Sequence, residues 1–171
     1  MFMVAADFLT TCQTVFSEMP FPQGLTARQT HRKRGPLSTP AAASHTSRVS
    51  FTQIGTGTDR VQLQQVAMNL IVNSIEAMKD LDRLREMVIK AQLAESERIL
   101  VSVSDTGPGF PPDRAEQIFD PFFTTKPHGT GMGLRISRSI IESHGGRLWA
   151  EGAPGRGATF HLNLPAAIPG H

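Results

Sequence analysis

Three polar side chains interrupt the apolar segment NLIVNSIEAM at intervals that place them on one side of a helix. Asn69 and Asn73 stand four residues apart and Glu76 follows three residues later, so at 100° per residue they share a face with Gln65. Solvated helix faces more often carry Lys and Glu, and a buried amide costs free energy unless a partner satisfies it. These side chains either bind a polar ligand or form an ordinary solvated face, and the helix alone does not decide between the two.

A second candidate is the loop DTGPGF, residues 105–110, which follows the strand-like segment ILVSVS. Its Gly-Pro-Gly sequence makes a tight loop whose backbone can approach a ligand closely. Asp105, at the end of the strand, can accept a hydrogen bond from an exocyclic amine. By itself, however, the same sequence is typical of a structural turn.

The segment FDPFFTTKPHGTGMGL, residues 119–134, is suited to an anion. Three glycines precede a predicted helix: Gly129, Gly131 and Gly133. Their backbone N–H groups and the helix N-terminus would therefore face that anion. Lys126 adds a donor for phosphate, and three hydroxyl groups add others: Thr124, Thr125 and Thr130. The segment is not a P-loop, which needs Gly-Lys-Ser/Thr at a fixed spacing. It is not a dinucleotide fingerprint either, which needs a βαβ unit with a ribose-binding acid.

Regular patterns predict the elements that would position these residues. Asp59 has the position of an N-cap for a long helix over residues 60–83. Residues 85–94 and 98–105 alternate like two strands of an antiparallel hairpin, and residues 48–54 are typical of an earlier strand. The other predicted elements are a short helix over 111–119, a helix over 133–146 with a glycine stop, and a final hairpin over 147–165. Together they predict an α/β (α+β) two-layer sandwich, a mixed, mainly antiparallel sheet with helices on one face.

The first part of the chain has a different composition. Residues 20–47 are rich in Pro, Ser, Thr, Ala and basic residues and lack a sustained apolar period, which predicts a linker-like or disordered segment. Residues 2–17 are compatible with a short amphipathic helix. We therefore predict a linker-like segment over 1–48, one domain over 49–165 and a tail over 166–171.

Composition limits the compartment and the kinds of partner that we expect for the protein. The single cysteine rules out an intrachain disulfide and fits a reducing compartment. The N-terminus lacks the basic start of a secretory signal and is too short and polar to span a membrane, so we expect a cytoplasmic location. The net charge of +2 does not indicate a nucleic-acid partner, and no cluster of His and Cys has the spacing of metal ligands.

Taken in order, the motifs resemble the nucleotide-binding module of sensor histidine kinases, in the GHKL superfamily shared with gyrase, MutL and the large heat-shock chaperone. DRVQLQQVAMNLIVNSIEAM is similar to the N box, DTGPGF to the G1 box, IFDPFFTTK to the F box and GTGMGL to the G2 box. The ending SIIESHGGRLWAEGAPGRGATFHLNLP, with its last glycine box, resembles the usual ending of the family. This resemblance covers about residues 49–165 and implies a GHKL ATP-binding fold with ATP and Mg²⁺ as cofactors.

The resemblance also implies a role for each matching residue. Asn73 would ligate the Mg²⁺ that bridges the ATP phosphates, with Asn69 beside it and Glu76 at the far end of the same face. Asp105 would hold the adenine amino group, and Lys126 would approach the terminal phosphate. The other implied cofactor-binding residues are Gly107 and Gly109 at the base pocket, Thr159 near the adenine side, Thr124 and Thr125, and the lid and hinge residues Gly129, Thr130, Gly131, Met132, Gly133 and Leu134.

The same resemblance favours phosphoryl transfer over hydrolysis. In the hydrolases of the superfamily the position matching Asn69 is a glutamate that activates water, and an amide cannot act as a general base at neutral pH. Phosphoryl transfer needs mainly positioning and charge neutralisation, so Asn69 and Lys126 are the predicted catalytic residues. Glu76 is the one nearby carboxylate that argues against this interpretation.

The phosphoacceptor is not evident in the sequence. The family phosphorylates a histidine on a two-helix dimerisation hairpin and passes the phosphate to a response regulator. The segment THRKRGPLS around His31 echoes the acceptor motif, but Arg32 stands where the family has an acid. Asp59 follows His31 by only 28 residues, too few for two long helices, and Pro36 would interrupt the first of them.

We therefore expect the ATP-binding catalytic domain of a histidine kinase whose acceptor domain lies on other regions or on a partner. A homodimer would form only through those regions. Two alternatives stay open at this point: a stand-alone serine kinase and anti-sigma regulator of the same fold, and a nucleotide-binding module without turnover.

Overall fold

The computed structural model describes residues 25–32, 57–94, 98–125 and 129–165. Its elements follow in the order β1 (Leu25–Arg32), α1 (Gly57–Met78), β2 (Arg85–Leu93), β3 (Arg98–Asp105), α2 (Gly133–Ser143), β4 (Arg147–Ala153) and β5 (Gly157–Pro165). Two short 3-10 helices, Pro112–Arg114 and Gln117–Phe119, lie between β3 and α2.

The five strands form one sheet in the order β1-β2-β3-β5-β4. β1 and β2 are parallel, and the other three pairs are antiparallel. Parallel strands need a crossover connection, and α1, which lies between β1 and β2 in the chain, belongs to it. The predicted mixed, mainly antiparallel sheet is confirmed.

Both helices pack on one face of the sheet and enclose the core. In β3 buried and half-buried residues alternate, as the two-residue period of a strand requires. The core side chains of the sheet include Ile99, Val101 and Val103 of β3 and Phe160, Leu162 and Leu164 of β5. The predicted core face of α1 is at most 4% exposed at Leu63, Ala67, Ile71 and Met78 and half-buried at Ile75. This arrangement confirms the two-layer sandwich.

Three predicted helices differ from the observed elements, and α2 differs only in that it ends at Ser143, three residues before the predicted end. α1 begins at Gly57, two residues before the predicted N-cap, and ends at Met78. It ends there because the apolar period stops and the N–H of Leu81 turns back to the carbonyl of Met78 at 3.2 Å. The predicted helix over 111–119 is instead the two 3-10 helices. Its two leading prolines have no N–H groups, and a segment so short leaves few i to i−4 hydrogen bonds.

The strand β1 lies inside the segment predicted to be linker-like. It pairs with β2 from Leu25 opposite Arg85 to Arg32 opposite Gln92. A parallel edge strand obtains its hydrogen bonds from a distant partner, so its own composition gives little signal. His31 belongs to this strand, opposite Ala91, and not to a helical hairpin.

Several predictions fall on parts of the chain that the structure does not describe. They are the helix over 2–17, the strand over 48–54 and the tail over 166–171, and the domain bounds remain predictions. Within the described ranges, neither α1 nor α2 combines the length and the apolar character that crossing a bilayer requires.

Candidate functional site

The polar face of α1 meets the start of α2. The amide nitrogen Nδ2 of Asn69 donates to the backbone carbonyl of Gly133 at 3.3 Å and to Oγ of Ser137 at 3.1 Å. Asn73 and Glu76 continue this face along α1, where Asn73 is half-buried and Glu76 is exposed. The structure therefore joins the N-box helix to the end of the glycine-rich segment, and Asn69 makes the connection.

Asp105 ends β3 and is only 7% exposed as a residue. Its Oδ1 accepts backbone N–H bonds from Gly107 at 2.8 Å and from Ala158 at 3.4 Å. Burial raises the pKa of this carboxyl group, and the backbone hydrogen bonds from Gly107 and Ala158, together with the nearby Ser74 hydroxyl, oppose that rise. Because both backbone donors reach the same oxygen, Oδ2 is the atom that can accept a hydrogen bond from a ligand.

The hydroxyl group of Ser74 is buried beside this carboxyl group. Ser74 is completely buried on α1, and its Oγ has no hydrogen-bond partner among the described residues. It lies near enough to Asp105 to lower the pKa of that residue, yet the pair does not meet the geometry of a good hydrogen bond. An unsatisfied buried hydroxyl costs free energy, and a polar ligand or a water molecule beside Asp105 would remove that cost.

Two glycines hold the G1 loop close to its neighbours. A Cβ on Gly107 would lie 2.7 Å from Oδ1 of Asp105 and 3.1 Å from the Cβ of Ala77 on α1. Gly109 has a φ of +66°, and a Cβ there would lie 2.1 Å from the carbonyl oxygen of Ala153. The loop therefore lies between α1 and the β4–β5 hairpin, at distances that only glycine permits.

The F box and the glycine-rich segment also contact each other. Phe122 has a φ of +65°, which bulky residues rarely adopt. A Cβ on Gly131, whose own φ is +66°, would lie 2.4 Å from the carbonyl carbon of Phe122. The hydroxyl of Thr130 accepts the N–H of Met132 at 3.4 Å. The remaining predicted residues of this region have simple positions: Leu134 packs against the core, Gly129 is half-buried, and Thr124 and Thr125 are exposed.

Lys126 lies outside the described residues, so its predicted approach to the terminal phosphate stays a prediction. The described part of the chain contains no group of three or more His, Cys, Asp or Glu side chains arranged for a metal ion. The predicted metal ligand, Asn73, offers an amide oxygen, which is a type of ligand that Mg²⁺ accepts together with water and phosphate oxygens.

Thr159 does not lie on the side of the sheet that carries Asp105. It is opposite Ser104 in the β3–β5 pairing, and its hydroxyl donates to Oγ of Ser104 at 3.0 Å. Since side chains alternate between the faces of a strand, the residue on the Asp105 face is its neighbour Ala158. The Thr159 side chain therefore lies on the face opposite Asp105, and its predicted place near the adenine side stays a prediction.

A separate groove of about 220 Å³ is lined by α2 and by the end of the second 3-10 helix. Its lining consists of Phe119, Asp120, Arg135, Arg138, Ser139 and Glu142. None of these residues belongs to the predicted nucleotide-binding set, and Asp105 is not part of the groove. We therefore place the candidate site at Asp105 and the α1 face rather than in this groove.

Asn69→Asp tests whether the amide joins α1 to α2. The substitution replaces the Nδ2 donor with an oxygen that faces the Gly133 carbonyl, so we expect the free energy of unfolding to fall by about 1–2 kcal/mol. Urea denaturation measures the change. Gln65→Glu is the matched control, because it makes the same chemical change on the same face at an exposed position. Equal destabilisation by the two variants would contradict a specific role for Asn69.

Comparisons with known proteins show which family the chain resembles. The model of the histidine kinase-, DNA gyrase B- and HSP90-like ATPase family matches residues 58–168. The chain is 55% identical over 109 residues to the sensor protein FixL of Bradyrhizobium diazoefficiens, a match that covers 64% of this chain and 21% of FixL. The chain thus spans about a fifth of the length of this relative.

Solved structures show the same fold. The nucleotide-free catalytic domain of the histidine kinase ThkA superposes with a TM-score of 0.63 at 28% identity, covering 96% of this chain and 93% of that one. ThkA has also been solved in complex with the response regulator protein TrrA, and that structure matches with a TM-score of 0.61 at 25% identity, over 98% of this chain and 40% of the other.

Proposed function

Because this chain belongs to the histidine kinase-, DNA gyrase B- and HSP90-like ATPase family, we propose that it binds Mg-ATP and transfers the γ-phosphoryl group to a histidine on a phosphoacceptor domain. The observation that carries the proposal is the buried carboxyl group of Asp105, with its two backbone donors on one oxygen and the unpaired Ser74 hydroxyl beside it. These groups form a small polar site inside an apolar surrounding, which suits the edge of a nucleobase.

Asp105 would identify adenine by its amino group. The exocyclic amine donates hydrogen bonds, and the ionised carboxyl group only accepts them. The Oδ2 atom would accept from this amine, while Oδ1 keeps its bonds to Gly107 and Ala158. The Ser74 hydroxyl can both donate and accept, so it would pair with a ring nitrogen or with a bridging water molecule.

The phosphate groups would lie along the polar face of α1 toward the start of α2. Asn73 would hold Mg²⁺ through its amide oxygen, and Mg²⁺ neutralises phosphate charge when it is bound. The backbone N–H groups of the glycine-rich segment suit the phosphate oxygens. Lys126 and the threonine hydroxyls of the F box would add donors, as the resemblance implies.

Asn69 supports transfer rather than hydrolysis. Its side chain is a neutral amide, and its Nδ2 already donates to α2, so it cannot take a proton from water. In the proposed reaction the bond between the γ-phosphorus and the ADP oxygen breaks as a bond to an imidazole nitrogen forms. The imidazole proton leaves to solvent. The residues of this chain orient the donor, and the nucleophile comes from the acceptor domain.

The partners of this module are inferred from its relatives. FixL is named as a sensor protein, and the ThkA complex contains a response regulator. We propose that this chain acts with a dimerisation hairpin that carries the acceptor histidine and, through it, with a response regulator. The described strand position of His31 supports an acceptor elsewhere.

Incubation with γ-labelled ATP tests the proposal. The chain is mixed with the dimerisation hairpin of a related histidine kinase, and with the same hairpin whose acceptor histidine is replaced by alanine. We expect acid-labile label on the first hairpin only. Acid-stable label on a serine would contradict histidine transfer and favour a serine kinase. ATP binding without any transfer would favour a module without turnover, and absence of ATP binding would overturn the proposal.

A further inference from the structure

Arg83 connects the two loops that surround the candidate base pocket. It lies just before β2, and its exposed guanidinium group contacts three backbone carbonyl groups. Nη2 donates to the carbonyl of Thr106 at 3.0 Å and to that of Gly107 at 2.9 Å. Nη1 donates to the carbonyl of Gly155 at 2.9 Å. One side chain thus binds the loop that follows Asp105 and the turn between β4 and β5.

These loops also contact each other directly. The N–H of Gly155 donates to the carbonyl of Pro108 at 2.7 Å, and Gly109 lies close to the carbonyl of Ala153. The carbonyl oxygens of Thr106, Gly107 and Gly155 all point toward one place, where their partial negative charges repel each other. A cation between them removes that repulsion, and a planar guanidinium group can serve several acceptors at once.

From this geometry we infer that Arg83 is a positioning residue for adenine recognition, which holds the Asp105 loop against the β4–β5 turn. This inference rests on the proposed function, because it concerns the same nucleotide site. Arg83 acts through the backbone of the loop and does not itself contact the base. Gly107 connects Arg83 to Asp105. Its carbonyl accepts a hydrogen bond from Arg83, and its N–H donates to Oδ1 of Asp105.

Loss of Arg83 has a consequence that depends on the base. Repulsion among the three carbonyl groups would displace the loop from the turn, although the Gly155 N–H still donates to Pro108. The Oδ2 atom of Asp105 would then shift away from the adenine amine. Guanine carries a carbonyl at the equivalent position of its ring, so the carboxylate disfavours it in the intact protein. The preference for ATP over GTP therefore reports the position of the loop. A general loss of positive charge, in contrast, weakens the binding of both nucleotides by the same factor.

The experiment measures the Kd values of ATP and GTP for the parent, Arg83→Ala and Arg83→Lys. For Arg83→Ala we expect the ATP Kd to rise about tenfold and the GTP Kd to change little, so that the base preference is largely lost. Arg83→Lys keeps the charge but lacks the fork that reaches both loops. It should lose about half of the base preference on a logarithmic scale, and it serves as the second variant if Arg83→Ala does not fold.

Arg156→Ala is the matched control, because Arg156 is an exposed arginine next to Gly155 in the same turn. It removes the same charge, so we expect small and equal changes in the Kd values of ATP and GTP. If Arg83→Ala keeps the parental base preference, the positioning inference is wrong while the proposed function stands. If the parent and Arg156→Ala also fail to bind ATP, the proposed function itself fails, and this inference with it.

Discussion

Asp105→Asn is expected to raise the Kd of ATP by about 100-fold or more while the fold stays intact. Asparagine has nearly the same shape as aspartate, and its single oxygen can accept both N–H bonds that now reach Oδ1 from Gly107 and Ala158. Its amide nitrogen then takes the place of Oδ2. The nitrogen donates hydrogen bonds, so it would face the adenine amine donor to donor.

The same substitution changes the pH dependence of stability in a defined direction. Burial raises the pKa of Asp105 above its ordinary value of 3.8. Between that value and the raised one, the folded protein binds a proton that the unfolded chain has released, so stability falls as pH rises through this window. The variant has no such titration. Its stability relative to the parent should therefore increase with pH across the window and level off above it.

Isothermal titration of ATP and urea denaturation at several pH values measure the two effects. Asp113→Asn is the control, because it makes the same change at an exposed position. Parental ATP affinity in Asp105→Asn would remove Asp105 from the base pocket. Strong destabilisation at neutral pH would contradict the assignment of both backbone donors to Oδ1.

Much of this arrangement could be predicted from the sequence because it depends on local periods. The core face of α1 follows from apolar residues at helical spacing, and Leu63, Ala67, Ile71 and Met78 are indeed buried. The strands β2 and β3 follow from alternation around a short turn. Asp105 and its glycines belong to a single motif, so their proximity is already present in the chain.

The remainder depends on contacts between distant parts of the chain. The side of the sheet that Thr159 occupies is fixed by its register with Ser104, and a shift of one residue reverses the face. Arg83 reaches Gly155 across 72 positions, and no local pattern marks an arginine that binds carbonyl groups. The pairing of β1 with β2 likewise comes from the fold and not from the composition of residues 25–32.

The β4–β5 hairpin contains two glycines that should respond very differently to alanine, one in the turn and one at the start of β5. Gly157 has a φ of +92°, and a Cβ there would lie 1.9 Å from the carbonyl oxygen of Asp105 and 3.1 Å from the Cα of Thr106. Gly155 has a φ of +74°, but a Cβ there would meet no atom within 4 Å. Both positions carry backbone strain for alanine, but only the first carries a clash with the base-binding loop.

We expect Gly157→Ala to lower the free energy of unfolding by about 3–5 kcal/mol, a large share of the total for a domain of this size. Gly155→Ala should lower it by only about 1–2 kcal/mol, the cost of the left-handed backbone. Urea denaturation measures the free energy of unfolding of both variants. Because both replace a glycine of positive φ with alanine, the difference between them reports the steric clash. Because relief of the clash must move the Asp105 carbonyl, any Gly157→Ala protein that remains folded should also bind ATP more weakly than Gly155→Ala. Similar stability and affinity for the two variants would mean that the turn is free to move away from β3.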